Sequence, residues 1–399
     1  MLKAFKYRIH PTAEQAELIN KHIGSCRFVY NLALETKQIA YAGHRVNLSC
    51  FDLIKQLPDL KEQCEWLNEI NSQSLQQSIT HLDNAFTRFF KGQGDFPKFK
   101  KKTARQSFNV PQNVIVDFEN NKLIIPKFKK KGIDIILHRK FKGTTKQATI
   151  SRTPTGKYFI SVLVDTTDKI PKQKTVKENT TIGIDLGIKS FLVISNGLEI
   201  NNPKFLKKSL ARLKFVQRKF SKHKGKRTKH KLAIIHEKVS NQRKDFLNKT
   251  STELINNHDS IAIEDLNISG MVKNHKLAQS INDVGWGMFV TMLQYKAEWS
   301  GKNILKIGRF DPSSKTCNCC GTINKELTLK DREWTCVCGS ILNRDVNAAI
   351  NIKNFALKNH LSVERRRKNR KELPTLVGAL TSEAHSPLGK GWFTLSAFI

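Results

Sequence analysis

Three short apolar segments, far apart in this chain, each lead into a carboxylate. Asp185 follows Ile182-Gly-Ile184, Glu264 follows Ile261-Ala-Ile263, and Asp345 stands where the sequence predicts the start of a helix through Ala349 and Ile352. Acidic side chains gathered at strand ends are hard oxygen ligands, and such ligands hold the paired Mg²⁺ ions used in phosphodiester hydrolysis. The pattern predicts an α/β domain whose catalytic, Mg²⁺-binding residues are Asp185, Glu264 and Asp345.

Each of these carboxylates also has an ordinary structural explanation. Asp185 could cap the turn that follows its strand, Asp345 could be a helix N-cap, and Asp265 could take the role of Glu264. On a pleated strand Gly183 and Gly187 share a face with Asp185. We expect these glycines to leave room for a metal ion and a phosphate.

The cysteines are clustered, because five of the eight lie between Cys317 and Cys338. Two close pairs separated by a hairpin-length loop are typical of a Cys₄ structural zinc site. The preferred ligands of one Zn²⁺ ion are Cys317, Cys320, Cys336 and Cys338, and four thiolates would leave no open coordination position. The second pair is spaced by one residue, so Cys319 could replace a neighbour, and free buried thiols are the alternative.

The charge of the chain indicates a polyanionic partner, since it has 69 Lys and Arg residues and only 34 Asp and Glu residues. The sequence has no apolar run long enough to span a membrane and no secretory segment, so we expect a cytoplasmic protein without a membrane partner. Cations concentrate in residues 96–102, 126–131 and 204–249. The expected phosphate contacts are Lys98, Lys100, Lys101, Lys102, Lys129, Lys130, Arg218, Lys219 and Arg227, and a solvated charged face is the alternative.

Periodicity divides the chain into regions of different secondary structure. Residues 2–9 alternate as a strand, and Thr12 with Gln15 predicts a capping box that opens a helical region to about residue 91. The polar face of its helix 74–90 includes Gln76, which could contact adenine in a major groove or could be ordinary surface. Short β-branched runs from 108 to 164 predict a small antiparallel barrel or sandwich, which strand 2–9 would complete. Residues 180–310 alternate between strand and helix patterns.

Several of these motifs together resemble the TnpB family of insertion sequences, also called OrfB-type transposases and similar to miniature type V CRISPR effectors. The resemblance covers about residues 1–357. The matching segments are Ser25–Asn31, Phe96–Phe99, Gly183–Gly187, Ile263–Leu266, Asp283–Gly287, Ser313–Cys317, Trp334–Gly339 and Arg344–Ala349. Two departures are Asn343, where the family often has Asp, and the one-residue cysteine spacing.

The resemblance implies an α+β multidomain protein. Residues 1–11 and 105–178 would form an oligonucleotide-binding-type β-barrel, called the wedge, and residues 12–104 a helical recognition domain. A RuvC-like nuclease domain of RNase H fold would span 179–310 and 341–358, with a zinc ribbon at 311–340 and a basic, disordered tail at 359–399.

The implied activity is Mg²⁺-dependent cleavage of double-stranded DNA beside a short motif that the protein recognises. The guide RNA would come from the transposon end, and the protein would act as a monomer in the ribonucleoprotein. The alternatives are a catalytically inactive RNA-guided repressor, an RNase H-fold DNA transposase and a non-catalytic zinc-ribbon DNA-binding protein.

Overall fold

The computed structural model of the chain describes residues 1–128, 132–328 and 331–372. Within these ranges the strands are β1 (Leu2–His10), β2 (Gln106–Val110), β3 (Ile115–Asp117), β4 (Lys122–Ile124), β5 (Ile133–Ile136), β6 (Thr144–Arg152), β7 (Tyr158–Asp165), β8 (Thr181–Leu186), β9 (Ser190–Ile194), β10 (Glu199–Asn201), β11 (Ser260–Glu264), β12 (Asn303–Ile307), β13 (Glu333–Thr335) and β14 (Ile341–Asn343). The helices are α1 (Ala13–His44), α2 (Cys50–Lys55), α3 (Leu57–Gln63), α4 (Ser72–Phe90), α5 (Phe205–His223), α6 (Lys226–Asn257), α7 (Ile268–Met271), α8 (His275–Val284), α9 (Trp286–Trp299) and α10 (Arg344–Glu372).

The first seven strands form one antiparallel sheet in the order β2-β6-β7-β1-β5-β4-β3. Strand β1 lies inside this sheet, paired with β7 on one side and with β5 on the other. The first strand of the chain therefore completes the β-domain formed by residues 106–165, as predicted.

Helices α1 and α4 pack against this sheet and share its hydrophobic core. Helix α1 begins with the predicted capping box, in which the Thr12 hydroxyl accepts from the Gln15 N–H and the Gln15 side chain accepts from the Thr12 N–H. Buried Ile19 and Leu34 of α1 belong to the same cluster as Tyr7 and Ile160 of the sheet. The helical region and the β-domain are thus continuous in their packing.

A second sheet has the order β10-β9-β8-β11-β12, in which β9 and β10 are antiparallel additions and β11 and β12 run parallel to β8. Apolar residues of β8 and β11, including Ile184 and Ile263, pack on one face with Leu247 of α6 and Phe289 of α9. On the other face Ala262 packs with residues of α10. This three-layer α/β arrangement fits the predicted RNase H-like domain.

The α/β domain resumes after the cysteine segment, because α10 returns to pack on β8, β11 and β12. Helix α10 continues to Glu372, so the expectation that the disordered tail begins at residue 359 is wrong for residues 359–372. Lys, Arg and Glu are good helix formers, and a charged run can extend a helix whose first turns are anchored by packing. Residues 373–399 lie outside the described residues.

None of the helices in the described ranges has the length and apolar character needed to cross a lipid bilayer.

Candidate functional site

Asp185 and Glu264 lie at the same end of two neighbouring parallel strands. The pairing of β8 with β11 runs from Thr181 opposite Ser260 to Ile184 opposite Ile263. Asp185 and Glu264 are the next residues on each strand, and neighbouring strands are about 4.8 Å apart. The sheet register therefore brings these two carboxylates together, although 78 residues separate them in the sequence.

Asp345 is brought to the same edge by the close packing of α10 on β8. A Cβ atom at Gly183 would lie 2.0 Å from the backbone oxygen of Ala349 and 2.7 Å from the backbone nitrogen of Lys353. Only glycine permits this contact. Because Asp185 follows Gly183 by two residues on β8, the contact brings the first turn of α10 near Asp185. The expectation that Gly183 leaves room for metal and phosphate is wrong, because the space is filled by the helix.

The second glycine of this motif also serves the backbone. A Cβ atom at Gly187 would lie 2.9 Å from the backbone oxygen of Ser190. This contact lies within the tight connection between β8 and β9, so Gly187 permits the turn and does not enlarge a ligand site.

The three carboxyl groups form one electrostatic cluster. Burial, together with the negative charges of Glu264 and Asp345, raises the pKa of Asp185 to about 7, against the opposing effect of Arg344 and Arg332. Burial also raises the pKa of Glu264. Like charges held together in a partly buried position favour either protonation or the binding of a cation.

The structural alternatives considered for Asp345 and Glu264 are not what the structure shows. The side-chain oxygen of Asn343 accepts from the N–H groups of Asp345 and Val346, at 3.1 and 3.2 Å, so Asn343 caps α10 and the Asp345 carboxylate does not. Asp265 is half exposed and pairs with Lys306 and Arg309 at 3.4 and 3.6 Å. Glu264, in contrast, belongs to the carboxylate cluster.

Two residues that the sequence did not single out hold these carboxylates in place. The Ser313 hydroxyl donates to Oε1 of Glu264 at 2.5 Å, and one guanidinium nitrogen of Arg332 lies 3.2 and 3.0 Å from the two oxygens of Asp345. Both residues come from the cysteine-containing segment. Ser313 lies in a motif shared with the TnpB family. No sequence pattern around Arg332 indicates its role, because its pairing with Asp345 depends on the tertiary fold.

The four sulfur atoms that converge are those of Cys317, Cys320, Cys336 and Cys338, all within 4.8 Å of one another. The Sγ atoms of Cys317 and Cys338 are 3.8 Å apart, and those of Cys320 and Cys336 are 3.5 Å apart. Tetrahedral coordination with Zn–S bonds of about 2.3 Å requires sulfur separations of about 3.8 Å, so this group fits a zinc ion. Cys319 is exposed and stands outside the group.

The surroundings of the sulfur atoms also suit a metal. Leu327, Trp334 and Leu342 pack with Cys317 and Cys336 in a small hydrophobic cluster. Hydrogen bonds with the side chain and backbone of Thr322 lower the pKa of Cys320 to about 6, and those with Ser340 lower the pKa of Cys338. A lowered pKa favours the thiolate form, which is the form that binds metal. Burial and hydrogen bonds with the neighbouring thiols raise the pKa of Cys336 to about 12, so its thiolate form depends on a bound cation.

The predicted nucleic-acid contacts are distributed over two regions. Gln76 on α4 is exposed, as are Lys98, Lys101 and Lys102 in the loop before β2. The amino group of Lys100 lies 3.7 Å from the centre of the Tyr30 ring, and Lys98 pairs with Asp95 at 3.3 Å. The remaining described contacts, exposed on α5 and α6, are Arg218, Lys219 and Arg227. Lys129 and Lys130 lie outside the described residues.

A polar cleft of about 440 Å³ lies where α1, α4 and β2 meet the loop that contains Lys100 and Lys101. Its lining includes Arg27, Gln77, Arg105 and Asn109, and none of its lining residues is acidic. The side-chain oxygens of Asn109 and Ser74 are buried there without a hydrogen-bond partner among the described residues. Gln77 lines this cleft and Gln76 does not, a difference that the helical pattern did not predict.

Family models match most of the chain. Residues 159–275 match the OrfB_IS605 model, described as "Probable transposase", and residues 286–352 match a model described as "Cas12f1-like, TNB domain". Residues 1–45 match a model described as "Helix-turn-helix domain". In this structure residues 1–45 form strand β1 and helix α1, followed by Arg45.

Curated relatives and a solved structure agree with these matches. The chain is 37% identical over 360 residues to a "Putative RNA-guided DNA endonuclease" of Streptomyces pristinaespiralis, with 88% of each chain covered. It is 30% identical over 374 residues to the "Putative RNA-guided DNA endonuclease InsQ" of Escherichia coli K12, covering 88% of this chain and 91% of the relative.

The fold is similar to that of the protein in the "Cryo-EM structure of the Cas12f1-sgRNA-target DNA complex". The TM-score is 0.55 at 18% identity, with 86% of this chain and 83% of that chain covered. The curated relatives and the family models together place the chain in the TnpB, or OrfB_IS605, family.

Proposed function

We propose that this protein is an RNA-guided, Mg²⁺-dependent endonuclease that cleaves double-stranded DNA. The observation that carries the proposal is the convergence of Asp185, Glu264 and Asp345 at one edge of the α/β sheet, where their charges act on one another. Membership of the TnpB family, the names of the relatives and the RNA and DNA in the Cas12f1 complex support the same activity.

The three carboxylates fit Mg²⁺ because they offer hard oxygen donors in a cluster of like charge. Two bound ions would activate water and stabilise the leaving oxygen of the scissile phosphodiester. Asp185, Glu264 and Asp345 would hold them, while the Ser313 hydroxyl fixes the orientation of Glu264. Arg332, which donates to both oxygens of the Asp345 carboxylate, would hold that carboxylate in place.

The four cysteines of residues 317–338 would hold one structural Zn²⁺ ion. With all four positions taken by sulfur, the site has no place for water or substrate. The zinc ribbon formed by residues 311–340 would instead keep Ser313 and Arg332 beside the carboxylates.

Guide RNA from the transposon end and the target DNA would bind to the cationic surfaces. The helical pair α5 and α6 is the largest, with Arg218, Lys219 and Arg227 exposed. Asp283 anchors this pair to the nuclease domain, since it accepts from the Leu206 N–H at 3.0 Å and from Arg243 at 3.1 Å. Phosphate contacts of this kind give affinity without sequence preference, and base pairing to the guide would select the target.

The polar cleft between the helical region and the β-domain is where the protein would recognise the motif beside the target. Gln77, Arg27 and Arg105 line the cleft and would supply hydrogen-bond donors to bases or phosphates. Residues 12–104 would act as the recognition domain, with residues 1–11 and 105–178 as the wedge. We expect one copy of the chain in each ribonucleoprotein, acting in the bacterial cytoplasm.

The test is cleavage by the protein purified with its guide RNA, on plasmids that carry the target beside a library of flanking sequences. Asp185→Ala, Glu264→Ala and Asp345→Ala should each reduce cutting below detection while RNA and DNA binding persist, because each removes a metal ligand. Asp265→Ala is the matched control and should cut normally, since Asp265 makes surface ion pairs.

The products also separate the alternatives. Binding without any cutting by the wild type would indicate the inactive repressor, and strand-joined products would indicate a DNA transposase. Cutting that does not depend on RNA, or that persists in one carboxylate variant, would contradict the proposal.

A further inference from the structure

Two asparagines of α10 connect the helix that contains Asp345 to the start of the cysteine knuckle, which comprises residues 317–338 with their four converging cysteines. Asn347 and Asn351 are one helical turn apart and are 2% and 3% exposed. The Asn347 amide donates to the Thr316 carbonyl at 2.8 Å, and its oxygen accepts from the Asn318 N–H at 3.0 Å. The Asn351 amide donates to the carbonyls of Ser313 and Thr316, at 2.8 and 2.6 Å.

The segment held by these asparagines, residues 313–318, touches both sites. At its start, the buried Ser313 donates its hydroxyl to Glu264 at 2.5 Å. Near its end, Cys317 is one of the four converging cysteines. The backbone of residues 313–318 therefore connects the cysteines to Glu264 through the Ser313 hydroxyl, and to the helix of Asp345 through Asn347 and Asn351.

Apolar packing alone does not explain these residues. Asparagine is a poor helix former, and a buried amide is costly unless its hydrogen bonds are made. Their neighbours on the buried face of α10 are Ala348, Ala349 and Ile352, which pack without polar groups. The amides of Asn347 and Asn351 fix the position of α10 relative to a loop that has no strand partner along residues 313–315.

We propose that Ser313, Asn347 and Asn351 are positioning residues that couple the cysteine knuckle to the carboxylate centre. Asn347 and Asn351 set the distance between Asp345 and residues 313–318, and Ser313 transmits the position of that segment to Glu264. The inference rests on the proposed function and adds to it that metal binding at the two sites is linked.

Two measurements besides cleavage test the coupling, both on the full-length protein with its guide RNA. The first is Mn²⁺ affinity by calorimetry, counting only the binding that the Asp185→Ala variant lacks. The second is the rate of zinc release to a colorimetric chelator. Positioning partners of metal ligands are typically worth tenfold or more in metal affinity.

The variants separate the link from residues 313–318 to Glu264 from the link between α10 and the cysteine knuckle. Ser313→Ala should weaken Mn²⁺ binding about tenfold and leave zinc release unchanged, while Ser313→Thr, which keeps the hydroxyl, should restore Mn²⁺ affinity. Asn347→Ala and Asn351→Ala should each weaken Mn²⁺ binding about tenfold and also accelerate zinc release. Asn354→Ala, an exposed asparagine on the same helix, is the matched control and should change neither.

Asparagine variants that retain both Mn²⁺ affinity and the zinc-release rate would overturn the coupling even if guided cleavage is normal. Equal Mn²⁺ affinity in Ser313→Ala and Ser313→Thr would overturn the role of the hydroxyl, and this pair remains informative if an asparagine variant fails to fold. A wild-type protein without Asp185-dependent Mn²⁺ binding would refute the proposed function, and with it the coupling.

Discussion

The cysteine knuckle and the carboxylate centre, formed by Asp185, Glu264 and Asp345, are both clusters of side chains of the kinds that bind metals, but they are assembled in opposite ways. The four cysteines come from one segment, residues 317–338, and their sulfurs already converge within 4.8 Å. The three carboxylates come from two strands and a helix spread over residues 185–345, and they meet only because the sheet and α10 pack correctly. One site is local, and the other depends on the whole domain.

The two sites also differ in how the protein shifts the pKa values of their side chains. In the cysteine site, hydrogen bonds lower the pKa of Cys320 and Cys338, while burial and hydrogen bonds with the neighbouring thiols raise the pKa of Cys336 to about 12. In the carboxylate centre, burial raises the pKa of both Asp185 and Glu264, and like charges add to the effect at Asp185. A closed thiolate site is suited to permanent occupancy by a structural ion. A cluster of mutually repelling carboxylates is relieved when a cation binds, which suits ions that must also interact with substrate.

The largest effect should follow from breaking the local site. Cys317→Ser should abolish stoichiometric zinc and destabilise the knuckle, because the free energy of zinc binding, on the order of 10 kcal/mol, is coupled to folding. Guided cleavage should be lost as well, since Arg332 lies within the knuckle and Ser313 lies four residues before Cys317. Elemental analysis, limited proteolysis and plasmid cleavage measure these losses.

Cys319→Ser is the matched control for the cysteine variant, and it should keep one zinc per chain and normal cleavage. A zinc-free Cys317→Ser protein that still cut DNA normally would show that the carboxylate centre does not depend on the knuckle.

A smaller but still large effect should follow from breaking the packing that assembles the carboxylates. Gly183→Ala places a Cβ atom 2.0 Å from the Ala349 carbonyl oxygen, so α10 must move away from β8. We expect a loss of about 3 kcal/mol in the free energy of unfolding and cleavage reduced at least a hundredfold, with zinc retained.

Chemical denaturation and cleavage rates measure the effect of the glycine change. Gly43→Ala, in α1 with no atom within 4 Å of the added Cβ, is the control and should be neutral or slightly stabilising. Normal cleavage by Gly183→Ala would mean that close helix packing is not needed to place Asp345.

The same contrast explains how much the sequence could predict. The cysteine spacing is a local pattern, and the four sulfurs it indicated are the ones that converge. Apolar runs predicted strands β8, β11 and β12, and parallel strands put Asp185 and Glu264 at one edge. Asp345 was predicted as a ligand from its occurrence together with the other two carboxylates in one basic chain, since a carboxylate at a helix start is by itself usually a cap.

The remaining features depend on which elements pack together, and the sequence does not contain that information locally. Gly183 was expected to leave room for a ligand, but its neighbour is a helix 166 residues later. Gln76 and Gln77 differ by about 100° around α4, and periodicity alone could not decide which one faces the cleft. The partners of Arg332 and Ser313 follow from the position of the knuckle on the nuclease domain.

The smallest predicted effect concerns the charge repulsion of the carboxylate centre. Asp185 has a pKa of about 7 in the folded protein, against 3.8 as the ordinary value. The folded state therefore holds the proton more tightly than the unfolded state, so stability falls as the pH rises from about 4 through 7. Asp185→Asn cannot ionise and should be more stable than the wild type at pH 8 by about 2 kcal/mol, after discounting for partial solvent exposure.

This difference should vanish at pH 4 and should also shrink when Mg²⁺ is added to the wild type, because a bound cation favours the ionised carboxylate. Urea unfolding at pH 4, 6 and 8, with and without Mg²⁺, measures it. Asp265→Asn is the control, since Asp265 is half exposed beside Lys306 and Arg309, and it should give no such stabilisation at pH 8. If the difference in free energy of unfolding between the wild type and Asp185→Asn did not change with pH, the repulsion would be absent. The charge of Asp185 would then already be compensated by the protein, as hydrogen bonds compensate the thiolates of Cys320 and Cys338.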